Sequence, residues 1–107
     1  MKKIMIAASL SILVACATYK PVVPTQTDAD RAAQKYPGIT LADLNKGKAI
    51  FEERCKKCHS PQRPFNKSEA KVIKALPRMA KKAHLDSEEE KLVTQFVLTM
   101  KPVAKQR

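Results

Sequence analysis

Apolar positions along this chain fall into one continuous run and three interrupted stripes. The run is Ile4 to Ala15, apolar or small almost throughout, behind the charged start Met1-Lys2-Lys3 and ahead of Cys16. It is too short to span a bilayer and has the lysines and small-residue end of a secretory signal peptide, so residues 1–15 are expected to be removed on export. The stripes recur at three- and four-residue spacing, which predicts helices. The first begins at Thr40 and puts Leu44, Ile50 and Phe51 on one face, with Asp43 placed to close a capping box on Thr40. Gly47 lies on that face, where Ala would be favoured by about 1 kcal/mol in an open helix. Close approach of a second helix would explain it.

The second stripe follows a Ser68 cap and consists of Val72, Ala75, Leu76, Met79 and Ala83; Pro77 is expected to kink or divide it. The third follows Asp86 or Ser87. It carries Leu92, Val93, Phe96, Val97 and Met100, has Glu88, Glu89 and Glu90 at its positive end, and is expected to stop at Pro102. With no strand alternation and no repeat, the fold class is all-α. Residues 16–37 read as a flexible tether, interrupted by Pro21 and Pro24, with at most a helical turn near Asp30 to Lys35. About 20 such residues span roughly 25 Å. Tyr36-Pro37-Gly38 marks the boundary, and residues 38–107 form the folded domain.

Composition narrows the picture. The 107 residues carry a net charge of +11 and no Trp. Such a chain favours acidic partners. Nucleic acid is excluded as a partner by the export signal. A domain this small buries a modest core and often depends on a disulfide, metal or cofactor. Two of the three cysteines, Cys55 and Cys58, sit too close together to staple a fold, so something else is expected in the core.

Those two cysteines open the segment Cys55-Lys56-Lys57-Cys58-His59. A redox dithiol would need a preceding strand, and the helical pattern on both sides argues against it. A zinc site normally takes four ligands, and adjacent Cys58 and His59 rarely share one metal in good geometry. The spacing C-x-x-C-H is itself the signature of covalent haem c attachment. Thiols three residues apart at a helix end reach both vinyl groups of one haem, and His59 is then placed as the proximal iron ligand.

Two resemblances follow from these residues. Leu13-Val14-Ala15-Cys16 resembles the lipobox of bacterial lipoproteins, which implies lipid on Cys16. Ala17 after it implies outer-membrane sorting rather than inner. Residues 40 to 100 resemble a small monohaem cytochrome c of the class I type, in a lipoprotein form. The likeness rests on Gly47 and Phe51 leading into the C-x-x-C-H segment and on "VIKALPRMAKKAHLDSEEEKLVTQFVLTM". It implies three to four short helices around one covalently bound haem, with Gly47, Phe51 and Phe96 where the first and last helices cross. It also implies Met79 as the distal iron ligand; Met100 and His84 are the rival candidates. Two positions depart from the family pattern: Val72 stands where many relatives have an aromatic, and Pro77 precedes Met79 by two.

The implied function is that of a lipid-anchored, periplasm-facing electron carrier rather than an enzyme. It would exchange single electrons with acidic redox proteins, as a monomer or within a respiratory complex. Lys56 and Lys57 are expected at the docking edge. The competing classes are a haem-based ligand sensor or peroxidase-like enzyme, and a haem subunit of a larger complex.

Overall fold

The computed structural model describes residues 22–55, 65 and 67–104. Among these there are four α-helices and no strand: α1 (Gln26–Ala33), α2 (Leu41–Ile50), α3 (Glu69–Lys82) and α4 (Ser87–Ala104). A π-helical turn, Phe51–Cys55, continues α2 to the first cysteine of the C-x-x-C-H segment. The all-α expectation holds.

Local chemistry explains where the helices begin. Thr40 and Asp43 form the expected capping box on α2: the Asp43 N–H donates to Thr40 Oγ1 at 3.2 Å, and the Thr40 N–H donates to Asp43 Oδ2 at 3.0 Å. Ser68 caps α3 by accepting from the Lys71 N–H. Asp86 and Glu89 repeat the box at α4, and the three glutamates there face the positive end of the helix dipole. Both internal prolines are absorbed. α3 is one continuous helix across Pro77 rather than two pieces, and α4 runs two residues beyond Pro102. Each proline removes one backbone donor, a local loss that the packing of the buried face outweighs.

That packing centres on α4. Leu92, Val93, Phe96, Val97 and Met100 are all buried. Phe51, Phe65 and Phe96 form a three-ring cluster with centroids 5.6–6.2 Å apart, edge-on or tilted as aromatic quadrupoles prefer. Gly47 makes the crossing of α2 and α4 possible. A Cβ at that position would stand 2.9 Å from the Phe96 Cβ and closer still to the Leu92 carbonyl oxygen.

The stretch expected to be a tether differs. Residues 22–36 join the fold, with α1 packed against α2 and α4. Val22 belongs to the main core, while Ala29, Ala32 and Leu44 make a second small cluster beside Tyr36, Ile39 and Leu41. A capping box between Thr25 and Asp28 starts α1. Asp28 also pairs with Arg31, and Arg31 Nη2 reaches the Thr99 carbonyl on α4 at 2.8 Å. Residues 22–36 therefore belong to the folded part rather than to a tether. A small apolar face on two alanines, fastened by one polar contact, was too weak a pattern to separate from a linker. The signal-peptide run and Cys16 lie outside the described residues.

Candidate functional site

The segment that carries the haem signature is only partly described. The backbone of Cys55 ends the π-helical turn after α2; Lys56, Lys57, Cys58 and His59 lie outside the described residues. What can be placed are the elements that flank the segment and the proposed distal ligands.

Met79 sits on α3, half-buried at its edge. It borders a shallow crevice together with Leu76, Ala80, Leu85, Glu90 and Val93. Met100 is completely buried in the core with Phe51 and Phe96, so its thioether is committed to packing. His84 is exposed, in the turn between α3 and α4. Its φ of 56° lies in the left-handed region, where a residue with a Cβ is held at a cost of about 1–2 kcal/mol. The turn is a Schellman motif with histidine where glycine is usual: the Leu85 N–H donates to the Ala80 carbonyl at 2.9 Å and the His84 N–H to the Lys81 carbonyl at 3.2 Å.

Whether these residues suit a haem can be judged on the donor and its surroundings. A thioether is a soft ligand suited to low-valent iron, and Met79 presents one beside four apolar side chains. The crevice has no interior that a water molecule could enter, against the roughly 300–1,000 Å³ of a pocket that engulfs a cofactor. Residues 56–64 are not among those described. The ligand chemistry fits.

Charge is distributed unevenly around this wall. Lys71, Lys74, Arg78, Lys81 and Lys82 are all exposed, at helical spacing on the side of α3 opposite Val72, Leu76 and Ala80. The one acid of α3, Glu69 in its first turn, is engaged with Lys35 at 3.0 Å. The charge runs counter to that of α4's first turn, with its three glutamates.

Two residues of consequence carried no sequence signal. Phe65, in what read as a proline-rich loop, is buried against Phe51 and Phe96. Arg54, directly before Cys55, reaches across to the α3–α4 turn: its Nη2 lies 3.1 Å from the Ala83 carbonyl oxygen and 3.0 Å from that of His84. An aromatic within a loop was a weak hint of the first. Nothing in the sequence points to backbone carbonyls as the partners of the second. Among the described residues no group of three or more His, Cys, Asp or Glu side chains gathers to hold a metal. No helix among them is long and apolar enough to cross a membrane.

No protein-family model matches this chain, and neither a curated protein nor a solved structure matches it.

Proposed function

We propose that the chain is a lipid-anchored monohaem cytochrome c of the class I type that passes single electrons between redox partners. The observation that carries this reading is the sequence Cys55-Lys56-Lys57-Cys58-His59 at the end of a helix, followed by Met79 at the edge of an apolar crevice. Cys55 and Cys58 would hold the haem through thioethers, and His59 and Met79 would serve as its iron ligands. The bound group would supply a one-electron iron couple. The chain's own contribution would be to provide both iron ligands, His59 and Met79, which would leave no position for a substrate, and to bias the potential upward through the Met79 thioether. On this reading the protein is a carrier and not an enzyme.

On this reading it docks at the periplasmic side of a bacterial membrane, the outer membrane in preference to the inner, a placement that rests on the lipobox-like Leu13-Val14-Ala15-Cys16 and on Ala17. The basic face of α3 offers acidic redox proteins an electrostatic target next to Met79. With α1 folded into the domain, the chain from a lipidated Cys16 to Val22 would span at most about 20 Å. That is short enough to keep the domain close to its membrane, where a neighbouring complex could accept it as a subunit. The partial exposure of Met79 gives the competing class one point in its favour, since a displaceable ligand would suit a haem-based sensor or a peroxidase-like enzyme.

Absorption spectra of the oxidised and reduced protein, beside Met79→Ala, test the assignment. The expected result is a covalent haem c spectrum with a near-infrared methionine-to-iron band that the substitution abolishes. A wild-type spectrum without haem c would end the proposal. A band that survives in the variant would remove Met79, and prompt, stoichiometric carbon monoxide binding by the ferrous protein would favour the sensor or enzyme class.

A further inference from the structure

We propose that Arg54 is a positioning residue for the distal ligand. Its guanidinium clasps the turn after α3 and so fixes Met79 relative to the haem attachment point; the inference rests on the haem reading above. Arg54 is the residue before Cys55, so any movement of its backbone moves the first thioether position as well. Its side chain leaves the π-helical turn and donates to the carbonyl oxygens of Ala83 and His84 at 3.1 and 3.0 Å. The Ala83 N–H in turn donates to the Met79 carbonyl at 2.9 Å. Two hydrogen bonds therefore link the neighbour of Cys55 to the backbone of Met79.

The far side of the clasp is equally constrained. Arg54 Nη1 stands 3.5 Å from Glu89 Oε2, while Glu89 Oε1 accepts from the Asp86 N–H at 3.1 Å to close the α4 capping box. One guanidinium thus joins three elements: the end of the π-helical turn, the two carbonyls of the turn just past α3, and the first turn of α4. α3 and α4 are the two sides of the Met79 crevice, through Leu76 and Ala80 on one and Glu90 and Val93 on the other. A cation at the carbonyl end of a helix is favourable in its own right, and its bonds to carbonyls that α3 leaves unpaired are charge-assisted.

The consequence for function follows from ligand strength. A thioether binds ferric iron weakly, so its occupancy depends on being held at the right place. Removing the clasp frees the α3–α4 turn to shift, and an external ligand should then compete more readily for the iron. A residue that only stabilised the fold would change the unfolding temperature and leave that competition alone.

The test uses the full chain, matured in a host that attaches haem, as wild type, Arg54→Ala, Arg54→Lys and Glu89→Gln. Two quantities are read on the ferric protein: the near-infrared methionine band and the affinity for imidazole, with thermal unfolding recorded beside them. Arg54→Ala is expected to bind imidazole about tenfold more tightly, the scale of one charge-assisted hydrogen bond. Glu89→Gln should give a two- to threefold increase, and Arg54→Lys should recover part of the loss, since an ammonium can reach one carbonyl but cannot fork. If Arg54→Ala lowers the unfolding temperature but leaves imidazole affinity within twofold of wild type, the clasp is structural only and the proposal falls. Should Arg54→Ala fail to accumulate, an unchanged affinity in Glu89→Gln overturns it equally. A wild type that lacks the methionine band fails at the earlier step, and the haem–Met79 reading falls first, taking the clasp with it.

Discussion

The crossing of α2 and α4 and the polar junctions around it hold the same helices by different means. At the crossing, Gly47 lets the helices approach until its backbone meets the Leu92 carbonyl and the Phe96 Cβ, and Phe51 and Phe96 are wholly buried beside it. At the junctions, two arginines reach backbone carbonyls: Arg31 that of Thr99 on α4, and Arg54 those of Ala83 and His84. The crossing is a steric fit that tolerates almost no change in volume. The junctions are sums of separable hydrogen bonds, each worth on the order of 1–3 kcal/mol when a charge is involved. A protein built this way has a stiff centre and adjustable edges, and the proposed distal ligand lies at an edge.

The largest effect should come from breaking the crossing. Gly47→Ala would gain about 1 kcal/mol in an isolated helix. Here the added methyl meets a backbone carbonyl, which cannot rotate away, so α4 must move. A net loss of about 3 kcal/mol is expected, a fall in the thermal midpoint on the order of 15 °C. Circular dichroism melts of the two proteins check this. An unchanged or raised midpoint would mean that the helices do not touch at Gly47.

The α1 junction should break with pH, and with a smaller effect. Burial on its own would raise the Asp28 carboxyl, but the Thr25 N–H, the Thr25 hydroxyl and Arg31 together hold it below its ordinary value of 3.8. A carboxyl lowered on folding stabilises the fold at every pH above the unfolded value, and that contribution fades as pH falls through the folded one. Asp28→Asn should therefore cost about 1–2 kcal/mol at neutral pH, and the gap to wild type should close on acidification below 3.8. Urea denaturation at neutral pH and at pH values below 3.8 measures it. A gap independent of pH would remove the carboxylate from the junction.

This contrast also accounts for what could be read from the sequence. Steric features leave marks: Gly47 on an apolar face, Phe51 and Phe96 at helical spacing, a capping pair at Thr40 and Asp43, and capping residues at Ser68 and at Asp86 or Ser87. All three later helices and the apolar face of α4 were legible on those grounds. The C-x-x-C-H spacing is equally plain in the sequence, but residues 56–64, on which the haem reading rests, are not among those described. Bonds to backbone carbonyls leave no such mark, since every residue has a carbonyl. Nothing in the sequence therefore assigns a partner to Arg31 or Arg54, and α1, whose apolar face is mostly Ala29 and Ala32, read as tether. Phe65 was hidden for a related reason, because a loop residue has no period to declare its burial.

His84 supplies the smallest prediction and the sharpest division between the two regions. It occupies the left-handed position of the α3 Schellman turn with φ at 56°, where glycine would sit without strain. His84→Gly removes the Cβ penalty of about 1–2 kcal/mol. It gives back part of that gain through the greater freedom of glycine in the unfolded chain, so a net stabilisation of up to about 1 kcal/mol is expected. The two carbonyls that Arg54 engages belong to the backbone and are kept by the substitution. The melt should therefore rise while the Met79 region keeps its hydrogen bonds. A lower midpoint would show that the imidazole itself holds the turn.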